Sequence, residues 1–203
     1  MKRLLATLSA TLILCCLASC SADKYMQPGQ MLLKRNQLNI SMADSSQVPP
    51  EVADALADAQ HYIYQKPNKR ILWVPVWLKL YCATNPTDSS RWSNFWRRTG
   101  EPPVIYDRNV ALRSAEQLAK LMKTKGCFGT TVTTDTIQNG PRSVNATYNV
   151  VATARRKIYD VSFVSRQPDI QQLLQQWKED SYLKAGDYYD QQKMIAETKE
   201  FIE

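Results

Sequence analysis

The spacing of apolar residues predicts three strands in the first 153 residues of the chain. Apolar and polar residues alternate along Met31–Ile40, which is the period of a half-buried strand. Two more strands are predicted around Phe128–Thr136 and Ser143–Ala152, and Asn139-Gly140 between them is a strong hairpin turn signal. In the last strand every second residue is apolar, so we expect one face to cover a core and the other to meet water. The apolar residues are Val144, Ala146, Tyr148, Val150 and Ala152.

Helical spacing of apolar residues is found between and after these strands. Glu51–Tyr64 and Val110–Lys125 each have an apolar stripe at intervals of three and four, and Gly126 is a normal helix end for the second. Its stripe consists of Leu112, Ala115, Ala119 and Met122. The order is thus strand, helix, helix, strand, strand. It begins again with a predicted strand at Lys157–Val164, followed by two further helices around Ile170–Trp177 and Gln191–Ile202.

Two aromatic stretches interrupt this order between residues 71 and 100. Ile71–Tyr81 reads ILWVPVWLKLY, which is too short to span a membrane and is broken by Pro75, so it is predicted as a buried strand or a docking segment. In the following stretch, three aromatic residues share one helical face among arginines. Either they contact a membrane or a partner, or they pack a short helix against its own domain. The contact candidates are Trp92, Phe95, Trp96, Arg97 and Arg98.

The first 19 residues have the layout of a secretory signal. Two basic residues precede a 14-residue apolar run, Leu4–Leu17, which is shorter than a membrane span. Leu17-Ala18-Ser19-Cys20 resembles the bacterial lipobox, in which the cysteine is acylated and the peptide is cleaved just before it. We therefore expect Cys20 to be the lipid attachment site and residues 20–30 to form a tether. The alternative is an ordinary secreted protein that is cut near Ala18–Ala22.

The cysteine content and the net charge indicate which bonds and which binding partners the mature chain could have. Cys82 and Cys127 remain after Cys20, either as a disulfide in an oxidising compartment or as two buried thiols. Removal of the signal lowers the formal charge from +7 to +5. For an exported protein, anionic lipid headgroups and acidic protein surfaces are nearer partners than nucleic acid.

Catalytic signatures are lacking in the sequence. The chain has one histidine, His61, and no metal-ligand, nucleophile-elbow or phosphate-loop motif. Asp187 and Asp190 fall in a predicted turn, where a turn or helix cap explains them. We therefore expect no enzyme activity, no catalytic residue, no metal and no cofactor other than the covalent lipid.

Several segments resemble one family of envelope proteins. GQMLLKRNQLNI, QKPNKRILWVPVWLKLY, LKAGDYYD and above all GEPPVIYD, residues 100–107, are similar to the N-terminal region of the translocation and assembly module lipoproteins, a lipid-anchored branch of the BamA/TamA superfamily. The resemblance implies an α+β fold of polypeptide-transport-associated (POTRA) units, each β-α-α-β-β, with helices on one face of a small mixed sheet. The first unit would span 31–154, with an insertion at about 71–100, and an incomplete second unit would span 155–203.

The resemblance also implies a function. POTRA domains bind unfolded outer-membrane protein clients by strand addition to a sheet edge, and they contact partner subunits of an assembly machine. We expect such a role on the periplasmic side of the outer membrane, with the strands around Met31–Ile40 and Phe128–Thr136 as the two candidate edges. Members of the family continue into a β-barrel, so the chain is expected to be a fragment or a shortened form. The alternative is a structural lipoprotein that tethers another envelope complex.

Overall fold

The computed structural model describes residues 22–45 and 47–202. The predicted signal segment 1–19 and Cys20 lie outside the described residues. The chain divides into two compact units. Unit 1 consists of the described residues of Met1–Gln37, Gln65–Ala111 and Thr134–Tyr148, and unit 2 of those of Leu38–Tyr64, Leu112–Thr133 and Asn149–Glu203.

The three strands form one mixed sheet. They are β1, Leu32–Met42; β2, Thr131–Gln138; and β3, Ser143–Ala152, in the spatial order β1-β3-β2. The N–H of Leu32 donates to Arg142 O at 3.0 Å, and near the other ends of the two strands the N–H of Ala43 donates to Ala152 O at 2.9 Å. β1 and β3 therefore run parallel, whereas β2 and β3 form the antiparallel hairpin that Asn139-Gly140 predicts.

Six helices accompany the sheet in the described residues, which confirms the α+β class. The Val110–Lys125 helix is observed at Arg108–Thr124, and its end at Gly126 is confirmed by a left-handed φ of 90° there. The prediction for Glu51–Tyr64 is only partly right, because the helix that begins at Pro50 ends after six residues and a 3-10 turn follows at Ala59–Tyr62. The helices are α1, Pro50–Ala55; α2, Val76–Cys82; α3, Arg91–Thr99; α4, Arg108–Thr124; α5, Pro168–Asp180; and α6, Gln191–Ile202.

The prediction of which β3 residues are buried is right for one face of the strand and wrong for the other. All five predicted core residues are buried, but so are Ser143, Asn145 and Thr147, which were expected to meet water. The reason is the position of β3 in the centre of the sheet, where neighbouring strands on both sides shield its short polar side chains. Ser143 Oγ donates to Asn139 O at 2.7 Å, so its hydroxyl is satisfied although it is buried.

The buried stripe of α4 is rotated from the predicted one. Ala115 and Met122 are buried as expected, but Leu112 is exposed. The remaining buried positions of this helix are Ala111, Ser114, Leu118 and Leu121. Hydrophobicity alone does not predict that Ser114 is a core residue. The residue can be buried because its hydroxyl accepts a hydrogen bond from the N–H of Tyr64 at 3.1 Å.

The predicted strand at Lys157–Val164 is wrong. Only one isolated bridge forms there, between Lys157 and Tyr188, while Tyr159 and Val164 are exposed. A strand needs a neighbouring strand for its backbone hydrogen bonds, and no strand lies beside this segment in the described part of the chain. The two helices predicted after it are confirmed as α5 and α6.

A partly buried ion pair in unit 2 connects the end of α4 to the start of α6. Lys125 Nζ lies 2.8 Å from Asp190 Oδ2, and Arg155 Nε donates to Lys125 O at 2.7 Å. The other carboxylate oxygen of Asp190 accepts from the N–H of Gln192 at 3.0 Å, which confirms the predicted helix cap. Burial raises the pKa of Asp190, but the hydrogen bonds from Lys125 and from the α6 backbone outweigh it, so the pKa lies below its usual value.

We expect Asp190→Asn to lower the free energy of unfolding by about 2 kcal/mol at pH 7, because hydrogen bonds to a charged group are lost and the Lys125 charge is left without its partner. A carboxyl group with a lowered folded-state pKa stabilises the fold above its unfolded pKa of about 4 and loses that contribution as pH falls through the folded value. Urea unfolding at pH 7 and pH 3 should therefore show a smaller pH dependence in the variant. The exposed Asp187→Asn is the matched control, and equal stability of both variants at pH 7 would contradict the prediction.

Candidate functional site

A tight turn at Ile71–Val74 exposes two large apolar side chains. The N–H of Ile71 donates to Val74 O at 2.9 Å, and the N–H of Val74 donates to Ile71 O at 3.0 Å. The two central residues, Leu72 and Trp73, have φ angles of 47° and 72° and are 86% and 83% exposed. Hairpin turns with such a left-handed backbone favour Asn and Gly. The backbone of Leu72 and Trp73 is therefore strained, and their apolar side chains face solvent.

The buried strand predicted for Ile71–Tyr81 is therefore wrong. Pro75 ends the turn and stands at the N-cap of α2, Val76–Cys82. Because proline has no N–H and a fixed φ, it suits the beginning of a helix better than the inside of a sheet. The docking-segment interpretation of this stretch stays a prediction.

The α3 helix also directs its aromatic residues outward. Ser90 caps it by accepting from the N–H of Ser93 at 3.2 Å, and Ser93 is buried. Trp92 and Phe95 are 71% and 52% exposed. The three predicted aromatics contact one another, with centroid distances of 6.2 Å for Trp92–Phe95, 5.2 Å for Phe95–Trp96 and 6.4 Å for Trp92–Trp96. The interpretation that these side chains pack the helix on its own domain is thus wrong for Trp92 and Phe95.

The two arginines of the candidate contact segment differ in their surroundings. The Arg97 guanidinium donates to Pro86 O at 3.1 Å and to Asn94 Oδ1 at 2.9 Å, so it fixes the loop ahead of α3. Arg98 is exposed. Hydrogen bonds from Ser93 and Ser90 lower the pKa of Asp88 in the same loop, which keeps that carboxylate charged.

The N-terminal end of the described chain packs on α2. Residues Ala22–Tyr25 form a 3-10 turn, and the Tyr25 ring lies 4.8 Å from the ring of Tyr81. The Tyr25 O–H also donates to Thr84 O at 2.9 Å. The segment that follows the predicted lipid attachment site is therefore held on the same helix that begins at the exposed turn.

An open cavity of about 270 Å³ in unit 1 lies between β1 and α2. Its polar lining is positively charged, with Lys34 and Arg35 from β1 and Arg70 from the segment ahead of the turn. Its apolar lining includes Trp73, Pro75 and Leu78. Sequence reasoning missed this site, since Arg35 and Arg70 are brought together only by the fold. The one local signal was the run of basic and apolar residues KRILW, residues 69–73.

The sheet has two edges, and they differ in how far they are covered. At the beginning of β1, the N–H of Leu33 donates to Val104 O at 2.8 Å and the N–H of Tyr106 donates to Met31 O at 2.8 Å, so an extended segment already pairs there. β2 pairs with β3 alone in the described sheet and is mostly exposed. Of the two predicted edge strands, β2 is the more open.

Cys82 and Cys127 are both buried thiols, and they form no disulfide in the described structure. Cys82 ends α2, and Cys127 follows Gly126. Burial raises the pKa of the Cys127 thiol against the opposing effect of the Arg155 charge. The sequence left open whether these cysteines form a disulfide or are two buried thiols, and in the structure they are buried thiols.

Searches for similarity give no further guide to the site. No protein-family model, curated protein or solved structure matches the chain. No helix in residues 22–45 and 47–202 is long and apolar enough to cross a bilayer. Within the same residues, the His, Cys, Asp and Glu side chains form no group of three or more that could hold a metal ion.

Proposed function

We propose that the chain is a lipid-anchored POTRA region of an outer-membrane protein assembly or translocation factor, and that it binds unfolded clients by strand addition. The observation that carries this proposal is the sheet order β1-β3-β2 with β1 parallel to β3 and the hairpin strand β2 at an open edge. Four helices lie between β1 and β2, of which α2 and α3 fall in the predicted insertion at about 71–100; without these two, the elements follow the β-α-α-β-β order inferred from the sequence. The resemblance of GEPPVIYD and the neighbouring segments to the translocation and assembly module lipoproteins gives the particular branch.

The chemistry of β2 suits many different clients. An extended chain that pairs with an edge strand forms main-chain hydrogen bonds, which do not depend on the client sequence. The N–H of Thr136 donates to the carboxylate of the preceding residue, Asp135, at 2.7 Å. This amide can turn to a client carbonyl without disturbing the hairpin. Three of the six exposed side chains of β2 are threonines, which favour an extended backbone and keep the edge soluble.

Hydrogen exchange with an unfolded outer-membrane β-barrel polypeptide tests the proposal. We expect amides of Thr131–Gln138 to exchange more slowly when the client is bound, while those of α5 are unchanged. Thr136→Pro removes one edge N–H and should weaken client binding several-fold, because a net backbone hydrogen bond contributes about 1 kcal/mol. Thr136→Ala retains the N–H and is the control. Client binding that protects another segment and leaves β2 unchanged would contradict strand addition at this edge.

The exposed Trp92 and Phe95 support a second role, as a tether to another envelope complex. A cluster of exposed aromatic residues beside arginines has the composition of a protein-contact surface. Alanine substitution of Trp92 and Phe95 separates the two roles. Client protection at β2 should persist in this variant, whereas co-purification with a partner subunit should be lost if α3 forms the contact.

A further inference from the structure

The cations around the cavity in unit 1 lack acidic partners. Arg70 Nη2 donates to Lys34 O at 2.9 Å, and Lys34 Nζ donates to Asn139 O at 2.9 Å. These acceptors are neutral carbonyl groups, so they orient the side chains without balancing their charge. Among the described residues, no ion pair with a carboxylate is formed by Lys34, Arg35 or Arg70.

The two arginines also affect each other. Partial burial lowers the pKa of Arg70, and the positive charge of Arg35 lowers it further. Like charges held close together raise the free energy of the site, and an anion bound between them would remove that repulsion. A guanidinium group binds phosphate oxygens through two parallel hydrogen bonds, which makes a phosphate group well suited to this position.

The rim of the cavity is apolar and extends into solvent. Trp73 both lines the cavity and stands next to Leu72 at the tip of the strained turn. A soluble phosphate ligand would give no reason to expose these two side chains. A lipid gives a reason, because its headgroup is charged and its acyl chains are apolar, and tryptophan prefers the interface between them.

The tether brings the cavity close to a bilayer. Leu78 of α2 lines the cavity, and Tyr81, one helical turn further, contacts Tyr25 of the N-terminal 3-10 turn. Ala22, where that turn begins, is two residues after Cys20. Two extended residues span about 7 Å, so an acyl group on Cys20 would keep this part of unit 1 next to the membrane surface.

We propose that the cavity binds the phosphate headgroup of an anionic membrane lipid through Arg35, Arg70 and Lys34, while Leu72 and Trp73 insert into the interfacial layer. The proposal rests on the proposed lipid anchor at Cys20 for its approach to the membrane. It assigns to the cavity a function that strand addition at β2 does not require. The lipid anchor would attach the protein permanently, and the headgroup site would fix its orientation on the bilayer.

An environment-sensitive fluorophore at position 72 tests the proposal. Leu72→Cys is labelled in the folded protein, in which Cys82 and Cys127 are buried, and the acylated protein is reconstituted into vesicles that contain a lipid-borne quencher. We expect strong quenching in vesicles that contain phosphatidylglycerol and little in pure phosphatidylcholine. Arg35→Gln with Arg70→Gln should lower the ratio of docked to undocked label roughly 25-fold, because each basic residue near an anionic surface contributes about fivefold.

The control removes the same charge from another surface. Arg113→Gln with Lys120→Gln changes two exposed cations of α4 and should leave the quenching unchanged. Equal quenching in both lipid mixtures, equal loss in both double variants, or a label that stays in water on phosphatidylglycerol overturns the proposal. Inorganic phosphate that binds the cavity at constant ionic strength without displacing the label from phosphatidylglycerol vesicles would assign the cavity to free phosphate, and docking that requires an added membrane protein would assign the turn to a protein partner; either outcome overturns the lipid assignment.

The anchor is tested separately in the same sample. The mass of the labelled protein shows whether Cys20 carries acyl chains, independently of where the label at position 72 lies. If the acyl chains are missing, the anchor is wrong, and quenching by phosphatidylglycerol vesicles added to the protein still supports the headgroup site. If the acyl chains are present and the label stays in water, the anchor holds and the headgroup site is wrong.

Discussion

Val150→Asp is expected to unfold the part of the fold that contains β3. Val150 is 0% exposed in the central strand of the sheet. A carboxylate at this position would be buried without a partner, at a cost of about 3 to 5 kcal/mol, which is a large part of the 5 to 15 kcal/mol by which folded domains are stable. The expected result is a melting midpoint lower by roughly 10 °C or more, or complete loss of the cooperative transition.

Val151→Asp is the matched control for this substitution. Val151 is the next residue in the same strand, points to the opposite face and is 37% exposed. The same carboxylate should cost much less there because water can solvate it. Circular dichroism melting of the two variants measures the difference, and similar midpoints would show that the burial of the β3 face is wrongly assigned.

Cys20→Ser is expected to abolish lipid attachment completely. The thioether bond requires the cysteine sulfur, and the lipoprotein peptidase cleaves only after that bond has formed. The variant should therefore keep its signal segment and incorporate no labelled fatty acid when it is expressed in a bacterium that makes lipoproteins. Metabolic palmitate labelling measures the loss of the fatty acid. Gel electrophoresis of the same samples separates the uncleaved from the cleaved protein and so measures the retention of the signal segment.

Cys16→Ser is the control for the loss of a thiol in the same region. The residue belongs to the predicted signal, so the variant should be labelled and cleaved like the unchanged chain. Normal labelling of Cys20→Ser would disprove the lipobox assignment and favour an ordinary secretory signal. The headgroup site would then have to bring the protein to the membrane without help.

Helices and strands could be predicted where the apolar period of the sequence agrees with the residues that end an element. β1 has a clear apolar period, and α4 and the β2–β3 hairpin combine such a period with a strong end signal, Gly126 and Asn139-Gly140 respectively. Burial was predicted less well. Ser114 and the polar face of β3 are buried for reasons that lie in other parts of the chain, namely a hydrogen bond from Tyr64 and the strands on either side.

The exposure of the residues in the candidate sites could also not be predicted from local sequence. The aromatic residues of α3 were identified from their helical spacing, but whether they face the domain or the solvent depends on tertiary structure. At Ile71–Tyr81, apolar composition predicted burial, while the backbone instead presents Leu72 and Trp73 outward. Arg35 and Arg70 line one cavity although they are far apart in sequence, and no local pattern could join them.

The parallel pairing of β1 with β3 determines when the sheet can form. Asn39 and Asn149 share a side-chain hydrogen bond of 3.0 Å across a separation of 110 residues. Closing so long a loop is slow compared with forming the local β2–β3 hairpin. The central strand is also the last of the three to be synthesised, so β1 can pair only with the extended segment at residues 104–106 until β3 is complete at residue 152. In a chain that emerges residue by residue from a narrow channel, the β1–β3 pairing would thus form in one late step, after residue 152 has emerged.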